Sequence, residues 1–565
     1  MKPIRRIILV ILALIMIAAA GCKQPQNDPK ATQNGETPTV DPDYDPDHTA
    51  WKTDREPGAQ VNETSKTVED YTLMEGTAEE FTVARYYGNN MVVPRDRKIV
   101  IWGTAPEEQN GKVVTAEFKG LKGSGEIKNG EFKFALQGTL PASKEKANIY
   151  IRGAEGVEKV IEDVLVGDIW VVSGQSNADL TFKGTVAGTD KDITALYGDY
   201  LNNASADDDI RLLQQINWSL MSKAGEERMA TPQTDIARTT KWKIAEKKKV
   251  VGSSVNDSFS MLGYFFAKEL YLRNPDVPIG IVMAGCGGAS LSLLASKEAC
   301  AKFPESLRYD SMMLGTYRIP ASGIYNAFLA PILNVGITGM IFYQGEANGN
   351  NSSDYCYALK TMIEDYREKF GSDLLFLNVQ LTSYGYESGG TELVGVWDYV
   401  PDMRFAEAEV KIDGSISNYE VIPSIDVGWK EGDKDGAHPY YKFELGQRGA
   451  QMAAALVYGI GTMEDAGFPI PSKVSYNDSE VVIKYNYAGG GLKTTDGKDV
   501  QGFQVKLDGK WQDVSATIDG NKVVIQATNA QGVRYASELR YFNLDNANLC
   551  SGTGNIAVPF CTEFK

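Results

Sequence analysis

The 565-residue sequence predicts an α/β protein: a three-layer core on a parallel sheet, flanked by N- and C-terminal all-β domains. Three observations carry that expectation. Apolar runs end in polar tips at 164–177, 278–290 and 337–348. Between 164 and 461 such runs alternate with helical stretches, the pattern of parallel strands joined by crossover helices. On both sides of that interval, short β-rich runs alternate with Gly and Asn turns, as in small antiparallel sandwiches.

The elements follow in chain order. Residues 1–21 begin with Met1-Lys2-Pro3-Ile4-Arg5-Arg6, continue through fourteen apolar residues at 7–20, and reach Gly21-Cys22. A basic start and a short apolar core mark a secretory signal. The core is shorter than the roughly 20 residues of a comfortable membrane span. Ala19-Ala20-Gly21-Cys22 resembles a bacterial lipobox, which makes Cys22 the expected lipidation site. Residues 22–65 carry six prolines among Asp, Asn, Gln and Thr, so they bury little apolar surface and read as a flexible tether.

Residues 66–163 read as an N-terminal β-sandwich, with runs at 98–103, 130–136 and 148–152. Residues 164–461 read as the three-layer core, with helices clearest at 354–370 and 442–458. Residues 462–565 return to β patterning at 480–485, 502–507 and 522–526. The Gly489-Gly490-Gly491 run reads as a turn, because no helix start follows it.

The formal charge of −17 argues against nucleic acid as a partner, since phosphate recognition needs a basic surface. An acidic substrate would need a locally placed cation, and Arg404 is a candidate beside its alternative as a helix-surface ion pair. Besides Cys22 there are five cysteines; Cys550 and Cys561 share a domain and are the pair considered for a disulfide. Cys286 reads as a small packed thiol. No metal-ligand spacing and no nucleotide loop is present, so neither a metal nor another cofactor is expected. Asp207-Asp208-Asp209 reads as a solvated loop before it reads as a cation site.

Candidate chemistry begins at Gly174-Gln175-Ser176-Asn177. Open α/β sheets keep their chemistry at the carboxyl ends of their strands, and a tight glycine turn there exposes a serine hydroxyl. The chain has only two histidines. His48 lies in the Pro/Asp-rich tether, which leaves His438 as the imidazole base. In Asp435-Gly436-Ala437-His438 one loop offers both side chains. The carboxylate can accept from one ring N–H and leave the other nitrogen for the serine. Oxyanion donors could come from the glycine loop at 284–290 or from the Gln344 amide.

These blocks, in this order, resemble the SGNH (GDSL-like) hydrolase superfamily, and specifically the sialate O-acetylesterase family. The GDxWxxSGQSN-like block lies at 167–177, the strand with its glycine pair at 279–289, the YQGExN-like block at 343–348 and the histidine–proline block at 435–439. Residues 259–270 also resemble the family's helix before the second block, and the likeness runs from about residue 81 to the C-terminus. It implies an SGNH-hydrolase core with Ser176 as nucleophile, His438 as general base and acid, and Asp435 as its orienting carboxylate. It implies an oxyanion hole from the N–H groups of Ser176 and of Gly287 or Gly288, with the Gln344 amide. Three positions depart from many relatives: Ala178, Cys286 and Ala289. All were expected to line the pocket, where small side chains suit acetyl.

The sequence is therefore expected to encode a serine carbohydrate O-acetylesterase, outside the cytoplasm and held to a bacterial membrane only through its lipid anchor. Its partner is an O-acetylated sugar, either sialic acid or a plant polysaccharide such as acetylated xylan. A non-catalytic glycan-capturing surface lipoprotein is the alternative of another class.

Overall fold

The computed structural model describes residues 73–564, apart from 184–196, 203–207, 216–219, 221, 255–256, 315–316, 386–397, 431–435, 540–543 and 545. The expected signal, Cys22 and the tether lie outside the described residues.

The central strand explains why the site forms where it does. β1 (Glu158–Gly174) is seventeen residues long and is buried continuously from Val164 onward. Its apolar, β-branched composition suits a strand covered on both faces. The remaining core strands are β2 (Ile210–Gln214), β3 (Trp242–Ile244), β4 (Ile279–Met283), β5 (Gly339–Tyr343), β6 (Leu375–Val379) and β7 (Tyr419–Ile422). Across the sheet they run β3-β2-β4-β1-β5-β6-β7, all parallel except the edge strand β3. The chain moves outward from β1 first toward β3 and then, from β5, toward β7. The order therefore reverses beside β1, and a crevice opens at the carboxyl ends there.

Helices close both faces. α1 (Met261–Arg273) and α4 (Lys442–Tyr458) pack together on the face presented by Trp170 and Ile341. Trp170 meets Phe266 of α1 with ring centroids 4.9 Å apart. Gly446 lets α4 approach closely, since a Cβ there would lie 2.7 Å from Phe265. α4 ends where Gly459 takes a left-handed conformation (φ 65°), which glycine adopts without a Cβ penalty. α2 (Ser352–Phe370) and α3 (Val400–Ile412) cover the opposite face, where the Tyr419 hydroxyl donates to the Glu407 carbonyl.

β1 runs through position 163, where the β-rich region was expected to give way to the core. Its first half pairs antiparallel with Ser143–Arg152, and its second half joins the parallel sheet. The N-terminal strands at 92–94, 113–118, 121–126 and 143–152 thus share a continuous sheet with the core, while those at 82–83, 100–104 and 131–135 form a separate antiparallel sheet. The C-terminal region holds two four-stranded antiparallel sheets, with Val481, Ile483, Val505, Val533 and Phe560 buried. Cys550 and Cys561 are both free thiols, so the disulfide considered from sequence is not formed. Among the described residues, no helix is long and apolar enough to cross a membrane.

Candidate active site

β1 delivers Ser176 by a turn that only glycine permits. Gly174 sits at φ 128°, and a Cβ there would lie 2.1 Å from the Tyr343 carbonyl oxygen. The chain stays tied to β5 through the Gln175 N–H, which donates to the same carbonyl at 3.0 Å. A one-turn helix, Ser176–Asp179, then starts at the serine. The Ser173 hydroxyl donates to the Ala284 carbonyl at 2.7 Å, fixing this turn against the strand that carries the glycine loop.

His438 arrives from a loop 262 residues later. Its Nε2 lies 2.9 Å from Ser176 Oγ, and both side chains are half-buried. That separation fits hydrogen bonding and proton transfer between a hydroxyl and an imidazole. Asp435 lies outside the described residues. The loop is held locally by the Gly385 N–H, which donates to the Gly436 carbonyl at 2.9 Å.

The glycine loop lies against the serine. A Cβ on Gly287 would stand 3.7 Å from the Ser176 Cβ, in ordinary contact. Gly288 takes φ 75°, and the Cys286 N–H donates to the Gly174 carbonyl at 3.0 Å. Among the described residues, the N–H groups of Ser176, Gly287 and Gly288 donate to no acceptor. Ala178, Cys286 and Ala289 are all buried, and Cys286 is the packed thiol expected from sequence. Burial pushes the Cys286 thiol well up, with Asp179 adding to the shift, so it remains protonated.

Gln344, whose amide is a candidate oxyanion donor from sequence, is engaged inside the fold. Its side chain is wholly buried, and Nε2 faces Asn348 Oδ1 at 2.8 Å, Gln175 Oε1 at 3.1 Å and the Ala289 carbonyl at 3.2 Å. Tyr355 donates to both the Gln344 carbonyl and its Oε1. An amide has two N–H protons, and internal acceptors occupy them. Gln344 therefore ties together the serine turn, the glycine loop and the 343–348 block.

Asn348 is the second carboxamide of the 343–348 block. Two donors, the Leu291 N–H at 3.0 Å and Gln344 Nε2 at 2.8 Å, converge on its Oδ1 and fix the amide orientation. Its Nδ2 is buried with no partner, a costly state that bound substrate can relieve. Asn348 lies four residues after Gln344, and nothing local in the sequence says which of the two amides is left with an unpaired donor.

Asn177, Glu346, Tyr384 and Lys442 form a second layer. Asn177 Nδ2 donates to Glu346 Oε1 at 2.7 Å and to the Ala437 carbonyl at 3.0 Å, while Oδ1 accepts from Lys442 Nζ at 2.8 Å. The Tyr384 hydroxyl donates to the same Glu346 oxygen at 2.5 Å.

Arg404 lies inside the fold. It is wholly buried, and its guanidinium donates to the carbonyls of Leu381, Thr382, Glu538 and Leu539 at 2.6–3.1 Å. Through these carbonyls it clasps the C-terminal region to the core. In the acidic run, Asp208 pairs with Lys146 at 2.9 Å and Asp209 accepts from the Tyr271 hydroxyl at 2.7 Å; Asp207 lies outside the described residues.

The sheet order, the strand-end turn and the site at the topological switch define a carboxylic ester hydrolase of α/β architecture. Within that class the chain belongs to the carbohydrate esterase, sialic acid-specific acetylesterase family, whose profile matches residues 166–454. It is a carbohydrate O-acetylesterase. The chain is similar to human sialate O-acetylesterase, at 24% identity over 442 residues, covering 72% of this chain and 76% of that protein. The rat sialate O-acetylesterase is 22% identical over 467 residues, covering 73% of this chain and 80% of the relative. The crystal structure of a carbohydrate acetylesterase from Xanthomonas citri shares the fold, with a TM-score of 0.68 at 23% identity, covering 86% of this chain and all of that one.

Proposed function

We propose that Ser176 is the nucleophile and His438 the general base and acid of a deacetylation through an acetyl-enzyme. The 2.9 Å approach of Ser176 Oγ and His438 Nε2 carries this reading. For Nε2 to accept the serine proton, Nδ1 must hold the ring proton, and Asp435 is the carboxylate proposed to receive its hydrogen bond. As Oγ bonds to the acetyl carbon, its proton moves to Nε2 and the carbonyl oxygen becomes an oxyanion. The N–H groups of Ser176 and Gly287 would meet that charge, with Asn348 Nδ2 in the place first assigned to Gln344. Collapse breaks the bond to the sugar oxygen, which takes the proton from Nε2. Water then repeats the sequence on the acetyl-enzyme, and acetate leaves with the serine restored.

The proposed substrate is O-acetylated sialic acid. Family membership and the names of the mammalian relatives support it. Because Arg404 is buried, any recognition of the sialate carboxylate falls to other groups. The protein is further proposed to work outside the cytoplasm, tethered by diacylglyceryl modification of Cys22, on the strength of the basic, apolar and Ala-Ala-Gly-Cys sequence.

Acetate release from O-acetylated sialic acid, measured beside acetylated xylo-oligosaccharides, tests the substrate. Preference for the xylo-oligosaccharide would overturn it. Ser176→Ala and His438→Ala should each abolish most turnover with the fold intact, and Asp435→Asn should impair it. Near-native turnover by folded Ser176→Ala would refute the serine mechanism.

A further inference from the structure

Asn177 directly follows the nucleophile, yet its side chain reaches a loop 260 residues away. Nδ2 donates to the carbonyl of Ala437, the residue immediately before His438, and to Glu346 Oε1. Oδ1 accepts from Lys442, four residues after the histidine and the first residue of α4. These bonds bracket His438 in the chain. The amide orientation is fixed by its partners. Lys442 has only protons to give and the Ala437 carbonyl has only lone pairs, so a flipped amide would oppose like with like. Asn177 is 1% exposed, so water has no room to replace a lost bond.

We propose that Asn177 is a positioning residue that sets the separation between Ser176 Oγ and His438 Nε2. The proposal rests on the serine–histidine reading above. Ser176 is held by its own turn and the glycine loop. The histidine comes from a separate loop, and Asn177 is a side chain that joins the two segments. Glu346 serves the same end, because Asn177 and Tyr384 both donate to its Oε1 and so hold the 343–348 block in the assembly. Proton transfer falls steeply as donor and acceptor separate, and a misplacement of about 1 Å costs on the order of 10²-fold in rate.

Asn177→Ala and Asn177→Asp are compared in the full chain with Ser176→Ala and His438→Ala, on p-nitrophenyl acetate. Folding is followed by circular dichroism and thermal melting. Asn177→Asp keeps the shape and the bond from Lys442 but loses both donated bonds and places a second carboxylate beside Glu346. Both Asn177 variants are expected to lose about 10²-fold in kcat, with KM changed less than about threefold. A packing role would be rescued by the isosteric aspartate, so a kcat restored in Asn177→Asp overturns the proposal. So does a folded Asn177→Ala with kcat within about threefold of the native chain, or a loss confined to KM. If Asn177→Ala does not fold, Asn177→Asp decides; failure of both to fold assigns Asn177 to folding and also overturns the proposal. Activity retained in Ser176→Ala or His438→Ala removes the underlying mechanism instead, so the two failures are told apart.

Discussion

The Gln344 side-chain amide donates to Oδ1 of Asn348 at 2.8 Å. That bond reverses the expected division of labour in the 343–348 block. The glutamine is spent on the interior, and its donation turns the asparagine so that Nδ2 is left without a partner.

Asn348→Ala should therefore lower kcat by about 10²–10³-fold while KM changes little, by analogy with removal of one oxyanion donor. Asn348→Asp should fare no better, because a carboxylate accepts where a donor is required. Steady-state kinetics on p-nitrophenyl acetate provide the check, and a loss seen only in KM would move Asn348 to sugar binding.

Gln344→Ala should act mainly on stability. It strips partners from Gln175, Ala289, Asn348 and Tyr355 at once, and a cost on the order of 3 kcal/mol is expected for buried groups left unpaired. Urea unfolding measures it. An unchanged unfolding midpoint together with a large fall in kcat would return Gln344 to the oxyanion.

Arg404→Met should destabilise the protein by about 3–5 kcal/mol, since four carbonyls lose a charged donor. The ratio of kcat/KM between sialate and neutral acetyl esters should stay the same. A collapse of that ratio in folded protein would show that Arg404 reads the substrate carboxylate after all.

Glu409 on α3 gives a pH dependence. Burial, aided by Asp413 and opposed by Lys360, pushes its carboxyl up from 4.5 to about 7. The folded value lies above the unfolded one, so between those two values the folded protein holds a proton that the unfolded chain has lost. Stability from this group is complete at low pH and is lost as pH rises toward 7. Glu409→Gln should match the native melting temperature at about pH 5 and exceed it at about pH 8. An equal difference at both pH values would contradict the assignment.

Cys22→Ala should shift the protein from the membrane fraction to soluble fractions or block its maturation, because a diacylglyceryl cysteine supplies the two chains that stable anchoring needs. Its catalytic constants should not change. Mass spectrometry of the mature N-terminus decides: an unmodified terminus beyond Cys22 removes the anchor and leaves the esterase untouched.

The sequence by itself determined the three-layer core, because its signals are local. The β-branched run into Gly174, the helical period at 442–458 and the turn-punctuated β regions each depend on neighbours in the chain. It also singled out Ser176 and His438, through the block resemblance and the scarcity of histidine. Only the fold decided which hydrogen bonds the polar side chains make. Gln344 and Arg404 direct their donors to internal acceptors, while Asn348 Nδ2 is left buried without one, and sequence position alone does not distinguish these outcomes. Position 163 shows the same limit for domains. The strand is charged and largely exposed before 163 and apolar after it, yet it is continuous, because its first half pairs with the neighbouring 143–152 and its second half with strands more than a hundred residues away. Asn177 lay in plain view within the serine block, but its partner at Ala437 exists only once two distant loops meet.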